Sequence, residues 1–490
     1  MNRIGVRSGE SRNNVAPLIL LAAIMVSALF LFPITWIAVA ALLGVAVVLY
    51  LVASTLDGKV EVPLLLWVAV FPLGYYFASF PRERAIITLD RMMIGILLLG
   101  MLLAPSAKSI KLPNDLRRSA VVWGCFVLAA FTTVGKAVDV RASSRIVFDS
   151  FFLPAIMGWC VIRNLDVRRH LVSLHTLVCL MSVYVAVIGA VEMATGTDLM
   201  PLPGAGLYFA GTVLRPNGPF STDNSLALIG LISFFFLLFL RHVIGKQMLA
   251  LRRFLHVAGV AASLAMALMP MFRSVVITLL LCLILDMYFN MQARKLRARM
   301  LILSSVLAAV VIFRAIAPEV YRDRSESSNL YARIAEQHQT LALFEMNPIT
   351  GVGIGDFTVA ASGKAETVGS YRGAESVDSP HNNLGSILAE TGLLGFLPYV
   401  AAQVLLIVAF RKLHTSGTHQ CHTVWIFSVY VFLSYWVNGL SLTAGYYSDV
   451  NLWYLFVLMV LYKYAITEGS APHSTRIAGE WMRTVWEVPG

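Results

Sequence analysis

The chain has 490 residues, 58% hydrophobic and 13% charged, with a mean hydropathy of +0.75; a soluble domain carries about a quarter charged residues. This composition excludes an ordinary soluble protein and indicates a polytopic membrane protein. The net charge of +11 does not require a nucleic-acid partner, because the basic runs Arg294-Lys295-Leu296-Arg297-Ala298-Arg299 and Arg411-Lys412 fall at the edges of apolar windows, where membrane topology accounts for them.

Windows of roughly 17 to 25 apolar residues mark membrane spans. In chain order they are 16–32, 34–54, 62–80, 86–104, 119–134, 146–162, 171–194, 224–240, 254–271, 274–291, 300–316, 383–410, 423–438 and 450–466. Because some are short or barely separated, the expectation is an all-α fold with about 12 to 14 transmembrane helices. The first window has a basic flank like a signal peptide but runs almost straight into the second, so it is read as a retained helix. Lys and Arg concentrate in the loops on the same side as Arg3, Arg7 and Arg12. That bias places both termini in the cytoplasm and the long polar segment 317–382 on the outer face. The five cysteines show no metal spacing, and Cys125, Cys160, Cys179 and Cys282 lie inside apolar windows, which speaks against structural disulfides and a zinc site. No repeat or low-complexity tract divides the chain, so 1–490 reads as one membrane domain.

Within the long segment, Asn329 to Met346 has helical periodicity, with Leu330, Ile334, Leu341 and Phe344 on an apolar face and Arg333, Glu336, Gln337 and Gln339 on a polar one. Asn347-Pro348 stops it. Such a helix either lies across the mouth of the bundle or packs the loop down, and the pattern suits both equally. Gly351-Val352-Gly353-Ile354-Gly355 superficially resembles a phosphate-cradling loop, but it follows a helix rather than a strand and reads as a tight turn. Ser379-Pro380-His381-Asn382-Asn383 then leads into the next span. His381 is expected in the first helical turn, after a proline tolerated there. At that place the helix dipole favours a neutral imidazole able to accept a proton from a hydroxyl. A cap or an interfacial residue is the commoner role for a histidine so placed.

Four outer arginines run against the charge bias. Arg215 lies in the turn-rich run 214–220, Arg273 sits in a minimal hairpin, and Arg82 and Arg84 follow the third span. A guanidinium can bind phosphate through paired hydrogen bonds, or it can snorkel to headgroups. Snorkelling is the preferred account of Arg82 and Arg84, and phosphate binding that of Arg273. Glu390, roughly 13 Å deeper than His381 at helical rise, needs a partner or a proton, and a structural role is preferred. Asp449, before the last span, is a cap or a partner for His381 or an arginine.

The run from Asn347 to Phe357, followed by Pro380-His381-Asn382-Asn383-Leu384 and Glu390-Thr391-Gly392-Leu393-Leu394-Gly395, resembles the signature of the O-antigen ligase and polysaccharide polymerase superfamily over about residues 205–410. The resemblance implies a type C glycosyltransferase-like fold in the bacterial inner membrane with its active site facing the periplasm. It also implies transfer of a glycan from an undecaprenyl diphosphate carrier to an acceptor hydroxyl, a growing glycan or lipid A core. By the same resemblance His381 is the base and Arg215 and Arg273 bind the diphosphate, although Met271-Phe272-Arg273-Ser274 departs from the Ser-Arg order associated with the family. Asp449, Glu390, Arg333, Arg82 and Arg84 are supporting candidates. No cofactor is expected, and the first outer loop offers no carboxylate pair for a metal. A transporter or flippase would place polar groups near mid-membrane in paired halves; the candidates here sit at one face, which favours a transferase. Transfer to protein hydroxyls is a third variant.

Overall fold

A computed structural model describes residues 47–74 (except 48, 56 and 58), 86–103, 112–201, 208–245 (except 211 and 212), 249–289, 327–375 (except 363–369, 372 and 373), 381–442 (except 416–418) and 444–469. The helices in chain order are α1 (Glu61–Val70), α2 (Leu89–Leu103), α3 (Asn114–Val134), α4 (Val140–Asn164), α5 (Val167–Thr195), α6 (Asp223–Ile244), α7 (Ala250–Leu268), α8 (Arg273–Phe289), α9 (Ser327–Met346), α10 (Phe357–Ser362), α11 (Asn383–Thr415), α12 (His419–Gly439) and α13 (Ser448–Gly469). Two small antiparallel hairpins, β1 (Tyr208–Ala210) with β2 (Val213–Arg215) and β3 (Ser370–Tyr371) with β4 (Ala374–Glu375), occur in connections. The protein is an all-α polytopic membrane protein.

Among the described residues seven helices, α3 to α7, α11 and α13, are long and apolar enough to cross a membrane. The expected spans 16–32 and 300–316 lie outside the described residues, as does most of 34–54. Helices α1, α2 and α8 are shorter, with 10, 15 and 17 residues, and α12 opens on His419, Gln420 and His422, which dilute its apolar character. Side-chain caps begin several helices: Asp166 accepts from Arg169 N at 3.3 Å ahead of α5, and Thr222 from Ser225 N at 3.1 Å ahead of α6.

Helix α13 is the axis of the bundle, with 83% of its apolar window buried, whereas α7 at the periphery has 22%. Trp453 of α13 is fully buried, stacks on Phe71 at 5.4 Å and donates its indole N–H to Ser233 Oγ at 3.0 Å. Large apolar side chains such as Leu128, Leu251, Phe254 and Ile284 point outward, as expected where lipid rather than water surrounds the helices. Helix α4 contains a wide π turn at Val147–Phe152, which turns Ser150 toward α13: Ser150 Oγ donates to Tyr446 O, and its carbonyl accepts from Asn451 Nδ2, both at 2.7 Å.

Candidate functional site

The N-terminal ends of α6, α11 and α13 are tied together by the segment 444–451. Gly445 N donates to Asn383 Oδ1 at 2.7 Å, Tyr446 Oη to Glu390 Oε2 at 2.6 Å, and Ser221 and Ser225 hydroxyls to Asp449 at 3.0 and 2.9 Å. Asn438, near the end of α12, reaches Thr278 of α8 at 3.1 Å. His381, Arg215 and Arg273 therefore occupy one end of the bundle.

The two glycine-containing motifs at this end interlock. Gly392 has φ +58 and breaks α11. Across the break Val352 N and Gly353 N donate to the carbonyls of Ala389 and Glu390, each at 3.0 Å, while Leu393 N and Leu394 N donate to Pro348 O and Ile349 O at 2.8 and 2.9 Å. The run 348–353 thus satisfies the helix groups freed by the break, which a membrane helix otherwise leaves unpaired at high cost. A Cβ on Gly392 would overlap the Ile349 backbone, and one on Gly351 the Glu390 backbone. The glycine loop does cradle an acidic group, but the group is internal: the Glu390 carboxyl accepts from Gly355 N at 2.8 Å and Phe357 N at 3.2 Å in addition to Tyr446. Burial, with Glu390 close by, holds the Tyr446 phenol well above the usual tyrosine range, so it remains a donor.

His381 stands just before α11, not in its first turn. Asn382 takes the capping position, its Oδ1 accepting from Leu384 N at 3.0 Å and Gly385 N at 3.3 Å. The imidazole Nε2 lies 3.8 Å from Glu336 Oε1, and Arg333 Nη1 lies 3.5 Å from Glu336 Oε2. Nδ1 has no hydrogen-bond partner among the described residues. The expected faces of α9 are corrected here. Glu336, Gln339 and Thr340 are buried while Leu341 is 52% exposed, because α9 lies against the start of α11 and turns polar groups toward that end of the bundle. Glu336 was placed on a solvated face by its sequence pattern, and only its reach to His381 across 45 residues marks it otherwise.

Arg215 extends from β2 into a closed setting. Its Nη2 lies 2.5 Å from Asp223 Oδ2, its Nε donates to Pro270 O at 3.1 Å, and its guanidinium sits 4.3 Å from the Phe272 ring centroid. Glu192 of α5 secures the same loop by accepting from Gly218 N at 2.7 Å. Arg273, by contrast, is exposed at the first position of α8, and among the described residues no hydrogen bond or ion pair engages it. Asp449 contacts neither His381 nor an arginine among the described residues; its partners are Ser221, Ser225 and the adjacent Val450 N. Arg82 and Arg84 lie outside the described residues. The carboxylates Glu336, Glu390 and Asp449 are each met by separate groups rather than gathered around one point.

Several buried polar atoms at this end have no hydrogen-bond partner among the described residues, including both amide atoms of Gln339 and the amide oxygens of Asn217, Asn224 and Asn438. Such groups suit a hydroxyl-rich ligand. The chain matches no curated protein. Residues 221–400 match the family model described as O-antigen ligase, a stretch that holds Arg273, Glu336, His381 and Glu390 and stops short of Arg215 and Asp449; over that stretch the chain is similar to the O-antigen ligase family.

Proposed function

We propose that the chain transfers a glycan from an undecaprenyl diphosphate carrier to an acceptor hydroxyl at the outer face of the bacterial inner membrane, with both termini in the cytoplasm. The pairing of His381 with the buried carboxylate of Glu336 carries this reading. Glu336 would hold Nε2 as the N–H side of the ring, leaving Nδ1 to accept a proton. The acceptor oxygen attacks the anomeric carbon as its proton passes to His381. The bond from that carbon to the carrier's phosphate oxygen breaks, and the diphosphate leaves with the electron pair. One displacement inverts the anomeric centre.

Arg273 and the N-terminal end of α8 would receive the diphosphate, since a helix N-terminus and a guanidinium both favour anions. The charge of Arg215 is already met by Asp223, so its larger share is to hold the elbow 270–272 on which Arg273 stands. Gln339 and the neighbouring amides would contact sugar hydroxyls. The long segment 317–382 and the core 205–410 would together form the transferase part of a single membrane domain, and no metal takes part in the displacement.

The deciding experiment reconstitutes the purified chain in vesicles with a carrier-linked repeat and compares wild type with His381→Ala. Loss of transfer with retained folding is expected, and undiminished transfer removes His381 as the base. Elongated carrier-linked chains identify a polymerase, transfer to lipid A core a ligase, and transfer to protein the third variant. Movement of intact donor across the bilayer without new glycosidic bonds would establish the transporter reading instead. Transfer is expected to persist when magnesium and manganese are withheld.

A further inference from the structure

We infer that His175, Cys179 and His256, near the opposite end of the bundle, form a binding site for a borderline-to-soft closed-shell cation, zinc(II). His175 and Cys179 are four residues apart on α5 and so share one face, and His256 faces them from α7. The ligand atoms all lie within 4.8 Å of one another. His175 Nε2 is 3.1 Å from His256 Nδ1 and 3.7 Å from Cys179 Sγ. A tetrahedral zinc with bonds of about 2.0 Å to nitrogen and about 2.3 Å to sulfur requires separations of about 3.3 and about 3.5 Å, within a few tenths of these two; the third pair, His256 with Cys179, lies within 4.8 Å and would close on the ion.

The backbone is arranged to permit this approach. A Cβ on Gly259 would lie 2.7 Å from Cys179 Sγ, so a side chain there would push α7 off α5 and carry His256, three residues earlier on the same face, out of reach. His175 and Cys179 are buried, and His256 is half-buried, which gives an ion a route in. Binding would release the Cys179 proton, leaving a thiolate on the metal and a fourth position for water. That thiolate also offsets the positive charge of Arg241 and Arg252, which act electrostatically on His175. One cysteine completed by two histidines on different helices leaves no paired-cysteine spacing in the sequence.

The site lies roughly 20 Å along α5 from Gly189, where α5 meets Pro216 and Met269 beside the Arg215 loop. It would not touch the reaction. It would clamp the peripheral α7 to α5, and the elbow that follows α7 supplies Pro270 and Phe272, which hold Arg215.

The test is a cobalt(II) titration of the full chain, purified in detergent without a histidine tag, followed by zinc competition. Wild type is expected to bind one equivalent with thiolate-to-cobalt charge-transfer absorption in the near ultraviolet, bleached by zinc, and to gain thermal stability in zinc. Cys179→Ser should abolish the band, His256→Gln should weaken binding at least tenfold, and Cys421→Ser should change neither. Absence of the band in wild type, or its survival in Cys179→Ser, overturns the proposal and leaves a plain histidine–histidine hydrogen bond. The wild-type titration decides even if a variant fails to fold, and it reads no transfer activity.

Discussion

Replacing Glu336 by Gln tests the candidate site at the residue that the structure adds to it. The side chain is isosteric, and the amide can still accept from Arg333, so folding should be unchanged. What disappears is the negative charge 3.8 Å from the His381 Nε2. Once the imidazole has taken the acceptor's proton, two unit charges at that separation interact by about 4 kcal/mol at an effective dielectric constant of 20. The His381 side chain is 30% exposed, and screening at that exposure leaves about 2 to 3 kcal/mol of transition-state stabilisation, equivalent to roughly a 30- to 150-fold loss in rate. Initial rates of glycan transfer in vesicles, with matched amounts of folded protein, give the number. His381→Ala should lose more, on the order of 100- to 10,000-fold. A Glu336→Gln variant within twofold of wild type, beside an inactive His381→Ala, would refute the charge pairing as part of the reaction.

Arg215→Ala removes the ion pair of Asp223, whose side chain is 5% exposed, with an expected cost of about 3 to 5 kcal/mol. The double variant Arg215→Met/Asp223→Leu should recover the thermal midpoint, whereas full stability in Arg215→Ala together with lost transfer would instead place Arg215 on the donor. Arg273→Ala should leave the midpoint unchanged and reduce transfer roughly 10- to 100-fold, with Arg273→Lys intermediate; unchanged transfer removes the anion site at α8. Gly392→Ala combines φ +58 with overlap of the Ile349 backbone and should cost on the order of 3 kcal/mol. Gly95→Ala, where an added Cβ meets nothing within 4 Å, serves as the tolerated control in the same unfolding experiment.

The membrane helices were legible because lipid demands long apolar segments whose backbone bonds close within each segment, and that demand writes itself into local composition. Helix α9 was legible as an element for a similar reason, its period and its Asn347-Pro348 stop. Its orientation was not, because the amphipathic rule assumes that polar side chains seek bulk water, and Glu336, Gln339 and Thr340 turn instead into the polar end of the bundle. His381 was visible as a titratable group near a helix start, yet its exact position depended on Asn382, which takes the cap and pushes the histidine one residue outside. Asp449 was open between a helix cap and a partner for an imidazole or a guanidinium, and it accepts from two hydroxyls, Ser221 just before α6 and Ser225 in its first turn. Pairings of this kind join residues more than 200 positions apart, and no local pattern records them.

The glycine run 351–355, expected as a tight turn rather than a phosphate loop, also directs backbone N–H groups at an acidic side chain of the protein itself. Backbone N–H groups gathered by glycines do favour an anion, and Gly355 N and Phe357 N meet the carboxyl of Glu390. Since that carboxyl also accepts from Tyr446, these donors are committed, and a diphosphate arriving at this loop would have to displace a buried side chain. Arg273 at the open end of α8 presents no such competitor among the described residues. The interlock also explains why the two motifs occur together: Gly392 opens α11, the run 348–353 fills the opening, and Glu390 locks the following turn. Between this interlock and His381, Gly385 packs against Thr340 of α9, so that the helix carrying Glu336 rests directly on the start of α11. If His381 and Glu336, 45 residues apart in the chain, act together as proposed, such a support would keep their separation near the 3.8 Å observed.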